Sequence, residues 1–437
     1  MNATGISSTS PGSHRILIRT SSMKPQVKKQ VLVFMLAPSL PAVTGGDIYA
    51  VNAVLPFAEE IDYHLFCYVG SEADRRKVEQ HRALYDKVFR SVHLEPRPKM
   101  PFELPKVQRA LSMARQALQG LPFIDASYYS RSAVAAARRI VREQGIDAIE
   151  VNSTHLAFFR RFLPQVPGIL LSHNIEADIF PFWMPAGLTG WKLRFMEWVA
   201  SRSRQAAKAV EIDNAFGFSA MTFISRHDMS RVTDKVPRYL MPLHFPLGTT
   251  RFEDKPDDTF HVLWMGGFGW YPNAEAVTWF AEKIHPLVAD QLQERKIVLH
   301  FCGGNPPVAL QALHDGRNVL VHGFVDDLQS LLDKAHLLMV PLLSGGGIRV
   351  KIVEAMSAGI PVLSTSKGCE GIGATDGVDI LVRDDAEGFA RTLLECAQDR
   401  TRLAALSAAG QDLMAREYSQ QASLDAKRAA YRHAGVM

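Results

Sequence analysis

The densest concentration of residues able to do chemistry lies between Pro341 and Thr365, PLLSGGGIRVKIVEAMSAGIPVLST. An apolar run ends at Pro341, three glycines (Gly345, Gly346, Gly347) follow, and a helical pattern starts directly after them. Backbone without side chains, leading into the free N–H groups of a helix start, makes a cradle for an anion. Arg349 and Lys351 lie in that helix's first turn, where cations oppose the macrodipole and are normally disfavoured. A phosphate bound there offsets the cost. Near one turn on, Glu354 falls on the face that can point back toward the same place, and a carboxylate there can take both hydroxyls of a ribose. An ordinary Gly-rich turn with solvated cations, and a Glu on an amphipathic helix, accounts for the same residues without a ligand.

Other candidates are sparser. Leu170 to Asp178, LLSHNIEAD, places His173 at the end of an apolar run, with Asn174 and Glu176 in the same loop. An isolated histidine is more often structural. Asp326 and Asp327 suggest a metal pair, but they follow a Gly-Phe-Val turn and read better as a helix N-terminus. Cys67, Cys302, Cys369 and Cys396 are far apart and form no metal-binding spacing, so buried free thiols in a reducing compartment are expected.

The elements that must position these residues alternate from Val31 onward. Gln30 to Ala37, Tyr63 to Val69, Ala148 to Asn152, Gly168 to Ser172 and Met221 to Ile224 read as buried strands, with helices at Asp47 to Glu60, Arg131 to Gln144 and Trp191 to Glu211. After a polar stretch, Thr249 to Asp258, the rhythm restarts at His261 and runs through Pro361 to Ser364. Continuous apolar strands separated by helices mean parallel sheets covered on both faces. The expected fold is therefore α/β, two doubly wound Rossmann-like domains facing each other across a cleft. Their expected bounds are a disordered tail at 1–30, a first domain at 31–246, a linker at 247–259, a second domain at 260–417 and a terminal helix at 418–437, which can pack back on the first domain although no residue pattern shows it. Met23 is an alternative start.

The 437 residues are 47% hydrophobic and 22% charged, which excludes disordered and collagen-like classes. A net charge of +4 is too small to imply a nucleic-acid partner. That sum hides an asymmetry: residues 1–250 hold 31 basic and 21 acidic side chains, and residues 251–437 hold 18 and 24, so the halves carry +10 and −6. No run of 18 apolar residues occurs, and Val31 to Ala37 is too short for a signal peptide. A cytoplasmic protein is expected. Trp191 to Lys208, WKLRFMEWVASRSRQAAK, sets Lys192, Arg194, Arg202, Arg204 and Lys208 against Glu197, with Trp191, Phe195 and Trp198 among them. A helix of this kind can lie on anionic lipid, on the inner face of the cytoplasmic membrane, or be a surface helix whose aromatics face the core. Leu104 to Leu121, with Lys106, Arg109 and Arg115, is a weaker second.

The Gly-Gly-Gly-Ile-Arg-x-Lys stretch followed by Glu-Ala-Met resembles the donor-binding segment of family 4 retaining glycosyltransferases of the GT-B fold. Three further segments match in order: Trp264 to Phe280 (WMGGFGWYPNAEAVTWF), His322 to Leu328 (HGFVDDL) and Pro38 to Ala50 (PSLPAVTGGDIYA). The resemblance implies transfer of a sugar from a nucleotide diphosphate to a hydroxyl acceptor, in bacterial exopolysaccharide or lipopolysaccharide assembly, with no metal or other cofactor. It implies that Arg349 and Lys351 bind the diphosphate, Glu354 the ribose and His173 the sugar. Donor contacts fall on Gly45, Gly46, Gly266, Gly267, Asn273, Gly323, Val325, Gly346 and Gly347, and acceptor contacts on Asn174 and Glu176.

Two departures stand out. The family often carries a glutamate eight positions before Glu354, where this chain has Gly346. Either backbone N–H groups of Gly346 and Gly347 hold the sugar, or the donor differs from the usual hexoses. Gly266 to Tyr271 also lacks the Arg and Lys that many members place there. A nucleotide-sugar 2-epimerase or a phosphorylase on the same fold, or a non-catalytic subunit that binds nucleotide sugar, remains open on these residues.

Overall fold

The computed structural model describes residues 28–42, 45–99, 103–119, 128–179, 189–248, 252, 255, 258–325 and 327–437. Residues 1–27 of the predicted tail, and Asp326 of the suggested metal pair, lie outside them; Lys29 and Gln30, placed in that tail, instead open the first strand, because their backbone pairs with the neighbouring strand.

Seven strands, β1 (Lys29–Met35), β2 (Ile61–Val69), β3 (Phe89–Pro96), β4 (Ala148–Asn152), β5 (Gly168–Ser172), β6 (Ala220–Phe223) and β7 (Arg238–Leu240), form one parallel sheet in the order β3-β2-β1-β4-β5-β6-β7. Six more, β8 (Phe260–Met265), β9 (Ile297–Cys302), β10 (Val319–Gly323), β11 (Leu337–Val340), β12 (Val362–Ser364) and β13 (Leu381–Val382), form a second in the order β10-β9-β8-β11-β12-β13. The apolar runs have a simple cause. Val31, Val33 and Met35 enter one core while Leu32 and Phe34 enter another, because helices cover both faces. Along β8, Phe260, Val262 and Trp264 likewise part from Leu263 and Met265.

In each sheet the strand order reverses once, between β1 and β4 and between β8 and β11. Ligands of open α/β sheets bind outside the carboxyl ends of strands at such reversals. The loops after β1, β8 and β11 carry Gly45, Gly266 and Gly345 to Gly347.

The sequence pattern does not reveal β3, β7 or β13, all at sheet edges and short or with half-exposed residues. The stretch read as a linker packs against the second domain: Phe252 joins its core, and Lys255 Nζ donates to Ala335 O at 2.5 Å, at the end of helix Gln329–Lys334. Helix Gln420–His433 contributes Ala430 and Tyr431 to the core of the first sheet. There Lys427 Nζ meets Glu150 Oε2 of β4 at 2.5 Å, Tyr431 Oη donates to the same oxygen at 2.6 Å, and the Tyr63 and Tyr431 hydroxyls lie 2.7 Å apart. No helix among the described residues is long and apolar enough to cross a membrane.

Candidate functional site

The loop after β11 needs glycine at two of its three positions. Gly345 and Gly347 adopt φ of 115° and 68°, which side chains disfavour. Gly347 also presses on the other domain, where an added Cβ would lie 3.1 Å from Asn174 Cβ. Arg349 folds back over this loop: Nη1 donates to Gly346 O and, at 2.7 Å, to Gly347 O. Its Nε and Nη2 are buried without a hydrogen-bond partner. Burial lowers the guanidinium pKa, opposed by the fields of Glu370 and then Asp228. Helix Val350–Ser357 starts at Arg349 with no side-chain cap, and of its first N–H groups Ile352 N donates to Arg349 O at 2.8 Å. Buried donors left bare are rare, and a bound anion would satisfy Nε and Nη2.

Lys351 reaches sideways instead, toward β8. Its Nζ donates to Asn273 Oδ1 at 3.2 Å and lies 4.3 Å from the centre of the buried Trp264 ring. Asn273 Nδ2 in turn donates to Gly267 O at 2.9 Å. Gly266 has φ of 142°, and a Cβ there would fall 2.8 Å from Lys351 Nζ. The cation missing from Gly266 to Tyr271 is thus delivered to that loop by Lys351. Burial, reinforced by the neighbouring Arg349 charge, brings the ammonium pKa down to about 7.

Glu354 is half-buried, and its carboxylate makes no hydrogen bond or ion pair among the described residues; burial raises its pKa. Gly323 accepts a hydrogen bond from Gly303 N at 2.7 Å, and Gly303 lies directly against Gly266 O. Val325 packs on the second-domain core. Asp327 Oδ1 accepts from Ser330 N at 3.2 Å, at the start of helix Gln329–Lys334.

Across the cleft, His173 follows directly after β5, with its Nε2 2.6 Å from Asn152 Oδ1 at the end of β4. Against that acceptor Nε2 carries the proton, which leaves Nδ1 able to accept. Burial, with His155 second, holds the imidazole pKa down to about 4, so the ring is neutral near pH 7. Tyr49 packs edge-on against it at 5.0 Å. Gly45 does not border open space: a Cβ there would meet Val350 Cγ2 at 2.5 Å, so this glycine lets the first domain touch the start of helix Val350–Ser357. Gly46, beside it, is exposed. Glu176 Oε1 lies 3.5 Å from His155 Nε2, and the Glu176 and Ala177 N–H groups donate to Glu211 at 2.8 and 3.1 Å. Asn152, Tyr49, His155 and Glu211 had no sequence signal, since only folding brings them to His173 and Glu176.

Among the described residues, cavities along this interface include one of about 550 Å³ beside Arg226, Gly371 and Tyr418, and one of about 170 Å³ behind Gly345 to Gly347. Both border His227.

Residues 259–399 match the family described as Glycosyl transferases group 1. An uncharacterized 44.6 kDa protein in the cps region of Klebsiella pneumoniae is 24% identical over 192 residues, which is 42% of this chain; the match spans about half, 48%, of that protein's length. Among solved structures, Anabaena Alr3699/HepE in complex with UDP-glucose superposes with a TM-score of 0.60 at 13% identity, over 92% of this chain and 99% of that one. Staphylococcus aureus TarM, in complex with α-GlcNAc-glycerol and UDP, gives 0.60 at 9% identity, over 92% and 99%. Sucrose-phosphate synthase of Thermosynechococcus elongatus gives 0.59 at 14%, over 92% and 98%. Residues 259–399 thus carry a glycosyl transferases group 1 domain, within a chain whose two facing parallel-sheet domains have the GT-B fold.

Proposed function

We propose that the protein transfers a sugar from a nucleotide-diphosphate sugar to a hydroxyl acceptor, with retention at the anomeric carbon and without a metal ion. The observation that carries this reading is Arg349, a buried cation with two bare N–H positions at an uncapped helix start, close to Lys351. In the transfer, the bond from the anomeric carbon to the diphosphate oxygen breaks, and its electron pair leaves with the diphosphate. The acceptor oxygen bonds to that carbon and its proton passes to the departing diphosphate oxygen. Negative charge grows on the diphosphate, where Arg349, Lys351 and the helix N–H groups oppose it. Glu354 is assigned to the ribose. His173 Nδ1, fixed as an acceptor by Asn152, is assigned to a sugar or acceptor hydroxyl, with Asn174 and Glu176 nearby.

The cps-region relative supports a setting in bacterial exopolysaccharide or lipopolysaccharide assembly. Peripheral membrane contact is supported by Trp191 and Trp198, 73% and 40% exposed on one helix beside Lys192, Arg194 and Arg202. The neighbouring helix Lys106–Gln119 exposes Val107, Leu111 and Leu118; the side chains of Lys106, Arg109 and Arg115 lie outside the described residues. Sedimentation with anionic liposomes should weaken as salt rises, and failure to bind at any salt rejects this contact.

The activity is tested by incubating the protein with a panel of nucleotide sugars and polysaccharide-precursor acceptors. Free nucleotide should appear only when acceptor is present, and undiminished in EDTA. Release without acceptor, or none with any pair, counts against transfer.

A further inference from the structure

We propose that the cavity of about 550 Å³ between the domains receives the acceptor, and that the acceptor is an acidic sugar whose carboxylate or phosphate meets Arg416 and whose hydroxyls meet His227. This rests on the reading of the cleft as a site of sugar transfer, and names the acceptor class for it.

The cavity lies at the carboxyl ends of strands from both sheets. Arg226 and His227 follow β6 on one side; on the other stand Gly371 to Gly373, in the loop after β12, and Arg416, in the last turn of helix Arg400–Glu417. The domains touch at its edge: a Cβ on Gly371, whose φ is 81°, would lie 3.0 Å from Ser225 Oγ. At roughly 30 Å³ per water the cavity holds about 18 waters, and its volume is that of an ordinary ligand site. His227 also borders the smaller cavity behind Gly345 to Gly347, whereas Arg349 is not among the walls of the larger one. A molecule bound here reaches toward the glycine loop without taking the place of the diphosphate, as an acceptor must.

The polar groups of the cavity select a negative charge. Arg416 is exposed, and its guanidinium makes no hydrogen bond or ion pair among the described residues; the same holds for the exposed His227 ring. The remaining charges balance each other: Arg226 Nη2 donates to Glu417 Oε2 at 2.7 Å across the domain boundary, with side chains 69% and 38% exposed. That pair need not open for a ligand to bind. One unmatched guanidinium is left, with the fork geometry that holds a carboxylate or phosphate by two parallel hydrogen bonds. A neutral imidazole both donates and accepts, which suits a hydroxyl. Buried Ile224, Ile372 and Leu413 give the floor apolar patches for the C–H faces of sugar rings. A cation would face Arg416 and Arg226, and a wholly apolar molecule would cover Arg416 without pairing it.

The test uses the full chain and two readouts. Calorimetry measures binding of glucuronate, glucose 1-phosphate and glucose to the wild type and to Arg349→Met, in which the glycine loop has lost its anion-holding group. Both acids should bind about tenfold tighter than glucose in either protein, and less tightly as salt rises. Arg416→Ala should remove most of that preference. Glu417→Gln should instead tighten the acids about threefold, because it takes a negative charge from the cavity and frees Arg226, and tightening also shows that this variant folds. In transfer assays acidic sugars should serve as acceptors ahead of their neutral counterparts, and Arg416→Ala should raise their KM about tenfold while donor KM stays level. Equal binding of acids and glucose, loss of acid binding in Arg349→Met, a preference for neutral acceptors, or parallel changes in donor and acceptor KM would each overturn the assignment. If the acids bind as expected but no nucleotide sugar releases nucleotide with any acceptor, the reading of the cleft as a transfer site fails, and the acceptor assignment falls with it.

Discussion

In the first domain the buried Lys427 ammonium meets the Glu150 carboxylate at 2.5 Å, whereas at the glycine loop the Arg349 guanidinium meets only neutral carbonyls, with Nε and Nη2 bare. Both cations are withdrawn from water. One has its counter-charge in the same chain, reinforced by Tyr431; the other has no carboxylate within ion-pair distance among the described residues. The paired cluster fastens the terminal helix to the first sheet. The unpaired one leaves two buried donors unmet. Average charge hides this, since that cation lies in the half that carries −6.

Opposite responses to loss of the cation follow. Lys427→Met leaves Glu150 buried without its partner and should cost about 3–5 kcal/mol of stability, read by denaturant unfolding. Adding Glu150→Leu should recover much of it, because an apolar pair needs no counter-charge. A loss below about 1 kcal/mol would mean that water reaches Glu150 and that the cluster is no clamp. Arg349→Met should instead leave stability level or higher, since it removes an uncompensated charge. It should lower kcat/KM by about 10²–10³, the usual cost of deleting one preorganised group that opposes transition-state charge. Nucleoside diphosphate should raise the Tm of the wild type and not of this variant. A destabilised Arg349→Met would place the arginine among structural residues and erase the contrast.

Lys351 lies between these extremes, its charge unpaired but its ammonium held by Asn273 and Trp264. With its pKa brought down to about 7, it is partly neutral in the free protein at physiological pH. A bound diphosphate favours the charged form and raises that pKa. Affinity should therefore be level below pH 7 and fall about tenfold per pH unit above it, until the pKa of the complex is reached. Calorimetry in buffers of different ionisation enthalpy should detect proton uptake on binding at pH 8. Lys351→Met should flatten the profile. His173, held near 4, adds no step above pH 5.

The legible part of the molecule was the part in which local sequence and fold agree. QVLVFMLA reads as a strand covered on both faces, and Arg349 and Lys351, two cations at the start of a Gly-preceded helix, are local in sequence. What stayed hidden was long-range pairing. Glu150 and Lys427 stand 277 residues apart, and nothing local says that they meet. The Gly266 loop looked short of a cation because Lys351 arrives from helix Val350–Ser357, which follows another strand. Edge strands β3 and β7 interrupt their apolar residues with polar ones, so neither displayed the continuous pattern of the central strands.

The smallest expected effect probes how closely the two sides are held while leaving both charged clusters intact. Gly45 contributes no charge, only the absence of a Cβ that would sit 2.5 Å from Val350 Cγ2 and 3.0 Å from Val350 Cβ. Valine is stiff at χ1 and cannot turn both methyls away, so Gly45→Ala should separate the first-domain loop from the helix start by a few tenths of an ångström. Both domains keep their own cores, so Tm should change little. The cleft closes less well over the diphosphate, and kcat should fall about threefold to tenfold, given how steeply catalysis depends on ångström-scale placement. Val350→Ala removes the opposing methyls and should restore most of the rate in the Gly45→Ala background, a coupling that a double-mutant cycle measures directly. Additive losses would mean that Gly45 and Val350 act independently, and that closure is governed elsewhere in the cleft.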